Sequence, residues 1–215
     1  MSAKTFRESQ AGAWGREYAA KGPLWRGTAR FDFDIAQGSR VLELGCGNGK
    51  TLSAIVNKCG SVAAVDVSGK AVGLCAKLAE DSGWKGVSVM QADACALPFT
   101  DESFDAVVAF HILGHLLAHD RETAVSEIRR VLKPRGSVFV NAFGVNDMRF
   151  GRGKEVEPAT FQRGSGVICH YFSESELDGL FKGFRIKKAA AERRAVRYDA
   201  SVFMRETLLR EFERC

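Results

Sequence analysis

The sequence predicts an α/β fold: a parallel sheet with helices on both faces and an antiparallel C-terminal edge strand. Three observations carry the prediction. Short apolar runs alternate with helix-period segments between residues 38 and 142. The segments joining those runs are long enough for the helical crossovers that parallel strands require. Two late strand candidates then follow one another with no long helix between them, which suits an antiparallel edge.

The first 30 residues, with Trp14, Tyr18 and Trp25, read as a helix and a loop laid across the top of the sheet. Arg40–Leu44 is a short buried strand ended by a glycine cluster. Leu52, Ile55 and Val56 then place a helix over Thr51–Lys58, with Gly60 as its left-handed stop. Val62–Asp66 is a second strand. Ser68 caps a helix whose face carries Val72, Cys75, Leu78 and Ala79 and which ends near Gly83. Val87–Ala92 and Phe104–Phe110 are the third and fourth strands. Asp120 is placed to cap a helix using Ala124, Val125, Ile128, Val131 and Leu132, and Lys133-Pro134-Arg135-Gly136 stops it before a fifth strand, Ser137–Ala142.

Beyond residue 143 the rhythm breaks, and residues 144–170 are rich in glycine and charge with little periodicity. Ser173 and Glu176 form a capping box, with Phe172 and Leu177 as its hydrophobic staple, so a helix runs to about Lys182. Strand candidates follow around Phe184–Ala191 and Val196–Met204. The chain reads as one domain with four parts: 1–37, a core over 38–142, an insert and helix over 143–182, and strands over 183–215.

Hydrophobic residues at 46% and charged residues at 27% exclude wholesale disorder. A chain of 215 residues buries roughly 70% of its unfolded surface, enough for one sizeable core. No apolar stretch approaches the roughly 20 residues that span a bilayer, so no membrane partner is expected. The polar start, without the apolar core of a signal peptide, points to a cytoplasmic location. The six cysteines form no Cys-x-x-Cys pair, which argues against zinc ribbons and redox dithiols, and no metal is expected. A net charge of +5 permits an anionic partner without requiring one.

The most informative stretch is Glu43-Leu44-Gly45-Cys46-Gly47-Asn48-Gly49-Lys50-Thr51. A phosphate loop of the Gly-x-x-x-x-Gly-Lys-Thr type needs its first glycine where Leu44 stands. A dinucleotide fingerprint needs its third glycine where Lys50 stands. Glu43, at the end of the strand, would repel a pyrophosphate and favour a ligand carrying positive charge. S-adenosylmethionine has a sulfonium, an ammonium and no phosphate, and Gly45 and Gly47 let backbone approach it closely.

On these residues the chain resembles the class I S-adenosylmethionine-dependent methyltransferases, of the small-molecule, methyltransferase-11-like type. Their first motif is an acidic residue followed by x-Gly-x-Gly-x-Gly. Further motifs of the family follow in order: Asp66, 21 residues after Gly45; Gln91-Ala92-Asp93-Ala94; Ser103 to His111; and Glu127 to Gly136, where Arg135 replaces a glycine of the family's turn. The resemblance covers about residues 38–142. It implies a Rossmann-like fold and S-adenosylmethionine as cofactor, with S-adenosylhomocysteine as product. It implies cofactor contacts from Glu43, Gly45, Cys46, Gly47, Asp66 and Val67, from Asp93 and Ala94, and from Phe110. Asp66 would accept the ribose hydroxyls, as carboxylates do in nucleotide-binding α/β sheets. Asp93 would accept from the adenine amino group while the Ala94 amide meets a ring nitrogen. The N-terminal region would fold over the cofactor as a lid, with Tyr18 its chosen residue. Asp105 reads as a structural residue of its turn.

Methyl transfer from a sulfonium is an in-line displacement with a neutral leaving group, so alignment does most of the work. The Asn/Asp-Pro-Pro-Tyr/Phe motif of many amino methyltransferases is absent after the fourth strand, where Ala109-Phe110-His111-Ile112 stands. His111 is the expected catalytic base, titrating near neutrality; the competing reading packs it against the cofactor's methionine end. Trp25, His170 and Tyr171 are the expected substrate contacts, Cys169 is a further candidate, and His115 and His119 read as surface residues of a helix entry. A small-molecule acceptor under the 144–170 insert is expected, with nucleic acid as the lesser alternative. That alternative, an RNA methyltransferase, rests on seven basic residues between Lys182 and Arg197 against one acid, Glu192. The favoured reading of that cluster is an edge strand blunted by Lys and Arg. A third alternative is a non-catalytic adenosyl-binding subunit that activates a partner.

Overall fold

The computed structural model describes residues 3–198 and 201–215. Helix α1 (Ala3–Lys21) leads to β1 (Arg40–Leu44), a short α2 (Leu52–Ile55), β2 (Ser61–Asp66), α3 (Gly69–Asp81), β3 (Val87–Gln91) and β4 (Phe104–Phe110). Then come α4 (Ala118–Val131), β5 (Leu132–Phe143), three short strands β6 (Lys154–Glu157), β7 (Thr160–Gln162) and β8 (Ile168–His170), and α5 (Glu174–Leu180). The long strands β9 (Phe184–Tyr198) and β10 (Ser201–Arg214) close the order.

Seven strands form one sheet in the order β3-β2-β1-β4-β5-β10-β9. The first five pair in parallel and the last two are antiparallel. The order reverses between β1 and β4, and at such a switch point an open α/β sheet leaves a crevice beyond its strands' carboxyl ends. Alternation along the central strands sorts the core into two layers. Leu42, Leu44, Val138 and Val140 pack with Ile128 of α4 and Leu177 of α5 on one face. Val41, Val108 and Phe139 pack with Leu52 of α2, Cys75 of α3 and the Phe31–Phe33 segment on the other. Both faces are therefore covered, and the fold is the Rossmann-like α/β class.

Several local expectations need correction. Residues 51–58 form a four-residue helix followed by a 3₁₀ turn. Gly60 is not a left-handed stop: a Cβ there would lie 2.6 Å from the Gly38 carbonyl oxygen, so close approach is what requires glycine. Asp120 does not cap α4, which begins at Ala118 with Leu117 at the cap position. Lys133–Gly136 forms an irregularity where the β4–β5 register jumps from Phe104↔Leu132 to Ala106↔Ser137, with Arg135 at φ +62°. The 144–170 segment, in which the sequence shows little periodicity, contains β6, β7 and β8, which make a three-stranded antiparallel sheet. The late strands are longer than expected, and residues 199–200 of the second expected strand lie outside the described residues. Ser68 and Ser173 do cap their helices, accepting from the backbone N–H of Ala71 and Glu176.

Candidate functional site

The glycine loop turns back at the end of β1. The backbone N–H groups of Gly45 and Cys46 both donate to the Val65 carbonyl, at 2.8 and 3.0 Å. Asp66, ending β2, holds the next turn: its two carboxylate oxygens accept from the N–H groups of Gly47 and Ser68, each at 2.9 Å. Burial raises the Asp66 pKa, and those two backbone donors only partly offset it. Gly47 sits at φ +55°, and a Cβ there would lie 2.6 Å from the Tyr18 hydroxyl. Tyr18 of α1 is thus laid on the loop, buried and bonded to the Trp25 side chain; burial and then the Asp66 charge push its phenol pKa upward. Trp25 itself is 46% exposed, and its backbone exchanges hydrogen bonds with the Asn48 amide.

Asp93 stands beyond β3 on the same edge. One of its oxygens accepts from the Cys95 N–H at 2.9 Å. The other is bound by Arg7 of α1, whose Nε lies 3.0 Å away, while Arg7 Nη1 reaches buried Asp120 at 2.5 Å. Between these groups lies a pocket of roughly 560 Å³, its open mouth included, whose lining includes Gly45, Asp66, Val67, Asp93 and Ala94. The structure therefore brings five of the ten residues expected at the cofactor to one cavity. Arg7, Gln10, Trp14, Ile112, His115 and Asp120 share its lining and were not expected there.

The others stand around the cavity. Gly47 and buried Cys46 belong to the loop itself. Glu43 lies beneath it, 2% exposed, with one carboxylate oxygen lacking any hydrogen-bond partner. Burial, then Cys75 and Asp66, hold its pKa well above the usual carboxylate range. Phe110 packs on the opposite face of the sheet, stacked on Phe31 at 5.6 Å between centroids.

The other half of the edge follows β4 and β5. His111 takes the left-handed conformation at φ +64°, and its N–H donates to the Asn141 carbonyl at 2.6 Å. Its ring stacks on Phe143 at 4.3 Å and 19°. Burial first, then positive neighbours including Arg149 and Arg205, push its pKa down to about 3. That corrects the expectation of an imidazole titrating near neutrality. The guanidinium carbons of Arg149 and Arg205 lie 4.2 and 4.8 Å from the Phe143 ring centre. Asp147 holds both, at 3.2 and 2.5 Å. His111 Nδ1, Asn141 Oδ1 and Arg149 Nη2 are buried there without hydrogen-bond partners.

His115 corrects its reading as a surface residue: it lines the pocket, meets Trp14 edge-on at 4.8 Å, and its Nδ1 lies 2.6 Å from the Ile168 carbonyl. Burial brings its pKa to about 4. His119 is exposed, as expected. His170 and Tyr171, expected to touch substrate, are each 1% exposed. His170 is held between the Thr160 hydroxyl at 2.8 Å and the Glu176 carboxylate at 2.9 Å, joining the small sheet to α5. Tyr171 packs with Phe161 and Cys169 in a separate apolar cluster. Neither lines the pocket, because the small sheet turns both inward. Among the described residues no cluster of three or more His, Cys, Asp or Glu could hold a metal ion, and no helix is long and apolar enough to cross a membrane.

Residues 42–140 match the sequence profile of a family described as a methyltransferase domain. Among curated proteins, the tRNA N(3)-cytidine methyltransferase METTL2 of Gallus gallus is 30% identical over 159 residues, covering 69% of this chain and 43% of that protein. The tRNA (carboxymethyluridine(34)-5-O)-methyltransferase of Arabidopsis thaliana is 33% identical over 120 residues, covering 55% and 28%. The chain thus spans less than half the length of these relatives. Their names overturn the expected small-molecule partner, since each is a tRNA methyltransferase. That expectation rested on reading the basic cluster between Lys182 and Arg197 as an edge strand blunted by Lys and Arg. Among solved structures, a SAM-dependent methyltransferase of Methanosarcina mazei superposes with a TM-score of 0.69 at 22% identity, covering 84% of this chain and 94% of that one. The [4+2]-cyclase SpnF superposes at 0.66 and 18% identity, covering 100% and 96%, so the fold alone does not specify the reaction. With its glycine loop, its acidic strand ends and its sheet order, the chain carries over residues 42–140 a domain of the class I S-adenosylmethionine-dependent methyltransferase family.

Proposed function

We propose that the chain is an S-adenosylmethionine-dependent methyltransferase whose acceptor is a nucleotide of RNA, with tRNA the first substrate to test. The observation that carries this reading is the meeting of the glycine loop, Asp66 and Asp93 at one pocket, in a chain whose curated relatives are tRNA methyltransferases. The residues fit the cofactor. Gly45, at φ +71°, passes so close to Ile112 that a Cβ would lie 3.1 Å from it, which keeps the loop's backbone against the pocket, and the carboxylates there suit a ligand without phosphate.

In this reading Asp66 takes the ribose hydroxyls, Asp93 and the Ala94 amide hold the adenine, and Val67 packs beside it. Asp93 shares its carboxylate with Arg7, so α1 and the adenine are read by one side chain. Tyr18, with Trp25 bonded to it, closes over Gly47. Glu43 and Cys46 shape the loop from below, and Phe110 supports β4 from the far face. The cofactor supplies a methyl group on a sulfonium that departs neutral. His111 then faces the acceptor as a neutral group. An imidazole with a pKa of about 3 is a weak base, so the arrangement suits a nucleophile with a free lone pair, such as a pyrimidine ring nitrogen. A cytoplasmic location belongs to the same reading.

The test is transfer of label from methyl-tritiated S-adenosylmethionine to unmodified tRNA transcripts by the chain alone. Label in a defined nucleotide is the expected result. Cofactor binding without label in any tRNA would overturn the acceptor, and absence of cofactor binding would overturn the whole reading.

A further inference from the structure

The basic cluster near the C-terminus separates into two halves with different surroundings. At the base of β9 the charges are spent on neighbours. Arg185 pairs with Glu213 and Lys187 with Glu211, each at 2.6 Å, and Lys188 donates to the Asp32 carbonyl at 2.8 Å. Towards the tip the pattern changes. Pairing between β10 and β5 ends at Thr207↔Phe143, so Ser201–Glu206 and their partners Arg193–Tyr198 run beyond the end of β5 as a ribbon. The Gly144–Met148 segment lies along its inner edge, with Met148 N–H donating to the Met204 carbonyl at 2.9 Å.

Every cation on the described part of this ribbon and on the adjoining 147–152 loop is arginine: Arg149, Arg152, Arg193, Arg194, Arg197 and Arg205, against Asp147 and Glu206. Arg193 pairs with Glu206, and Asp147 holds Arg149 and Arg205. Arg152, Arg194 and Arg197 are exposed and have no ion pair among the described residues. The face that carries Arg194 and Arg205 also carries Phe203, with the Arg152 guanidinium over its ring, and Phe150 of the adjoining loop is 43% exposed; Val202 and Met204, exposed as well, lie with Arg197 on the ribbon's other face. Protection of the open β9 edge does not account for this. Blunting needs charge on the edge strand alone, whereas Arg149, Arg152 and Arg205 lie inboard of it.

Arginine binds phosphate in a bidentate fork and stacks on flat groups, and interleaved apolar surface accepts unstacked bases. We propose that the ribbon and the 147–152 loop form the docking surface for a single-stranded stretch of RNA and lead it to Phe143, beside His111. Arg194 and Arg205 stand opposite each other across the ribbon, so the track reaches inward from the tip to the guanidiniums over Phe143. This inference rests on the RNA-acceptor reading above.

The test compares two double variants that remove the same net charge: Arg152→Ala with Arg194→Ala on the track near the tip, and Arg185→Ala with Lys187→Ala at the base. Binding of a tRNA transcript is followed by fluorescence anisotropy across a salt series with S-adenosylhomocysteine present, whose unchanged affinity reports intact folding. The tip pair should weaken tRNA binding about tenfold and flatten the salt dependence by roughly 0.7 in log–log slope per lost contact. The base pair should stay within about twofold. Equal losses would make the charge diffuse and overturn the track. Unchanged tRNA affinity with lost binding to polyglutamate would reassign the surface to an acidic protein and overturn it equally. A wild-type chain that binds no tRNA would overturn the RNA reading itself, a result distinct from a silent tip pair.

Discussion

One sheet edge carries two sites built on opposite charge. Beyond β1–β3 stand Asp66 and Asp93, with Glu43 beneath the loop and Asp120 across the pocket, and Arg7 bridges Asp93 to Asp120. Beyond β4, β5 and β10 stand Arg149 and Arg205 over an aromatic ring, with Asp147 between them. In the first half, carboxylates are oriented by backbone N–H groups, so their geometry is set by the loop. In the second, guanidiniums are oriented by one carboxylate, so a single side chain organises the cluster. In the proposed reaction a cationic cofactor would occupy the first half and a polyanion approach the second, and the two halves should respond independently to mutation.

The largest expected effect falls on the second half. The Asp147 side chain is fully buried and also accepts from the backbone N–H groups of Arg149 and Glu206. Burial alone would raise its pKa; Arg205 and the Arg149 N–H overcome that and hold it below the usual range. Asp147→Ala should cost about 3 kcal/mol, because it leaves two partly buried guanidiniums without their partner. A folded-state pKa that is depressed stabilises above the unfolded value and is lost as pH falls through the folded one, so the deficit should begin to shrink as pH falls below about 4. Urea melts at pH 7 and at pH 3.5 would measure this. Cofactor affinity in the folded variant should remain within about twofold; a parallel loss would show that the halves are one unit.

His111 lies where the two halves meet. His111→Ala should lower turnover by about 10²-fold through lost positioning, with cofactor binding within a few-fold. The pH–rate profiles of variant and wild type should have the same shape between pH 5.5 and 8, since the imidazole titrates at about 3. A rising limb near pH 6.5 in the wild type alone would restore the base. Asp66→Ala tests the first half. It should weaken cofactor binding by about 1.5–3 kcal/mol, through two lost charge-assisted hydrogen bonds to the ribose and the release of the Gly47 and Ser68 N–H groups. Calorimetry that found tRNA affinity falling in step would erase the distinction between the halves.

The two halves were unequally legible in the sequence. Gly45, Asp66 and Asp93 each end a short apolar run, and local spacing is enough to put them on one edge. Arg7 belongs to the same pocket, yet its partners are 86 and 113 residues away and α1 shows no clear apolar face to orient it. His115 was misplaced for the same reason, since its anchor at Ile168 is non-local. Strands of three or four residues, as in β6–β8, are too short for a period to emerge from a glycine-rich segment. In β9 and β10, paired charges on both strands hide the alternation, and the length of the ribbon stayed concealed with it.

The smallest expected effect bears on why the first half is acidic at all. Read in sequence, Glu43 attracts a cationic ligand by its charge. In the fold it is buried, the Leu52 N–H is its hydrogen-bond donor, and its other oxygen has no partner. A carboxyl whose folded-state pKa is raised stabilises the protein below its unfolded value of about 4.5 and loses that contribution as pH rises through the folded value. Glu43→Gln removes the titration and keeps an oxygen for the Leu52 N–H. It should therefore leave stability nearly unchanged at pH 4.5 and raise it at pH 8, read as the difference between paired denaturation curves. Cofactor affinity should stay within about twofold, because a protonated Glu43 has no charge to lose. A tenfold loss, or a variant less stable at pH 8 than wild type, would mean that Glu43 is ionised in the folded protein. The acidic half would then act through a buried charge beneath the loop as well as through the two carboxylates that line the pocket.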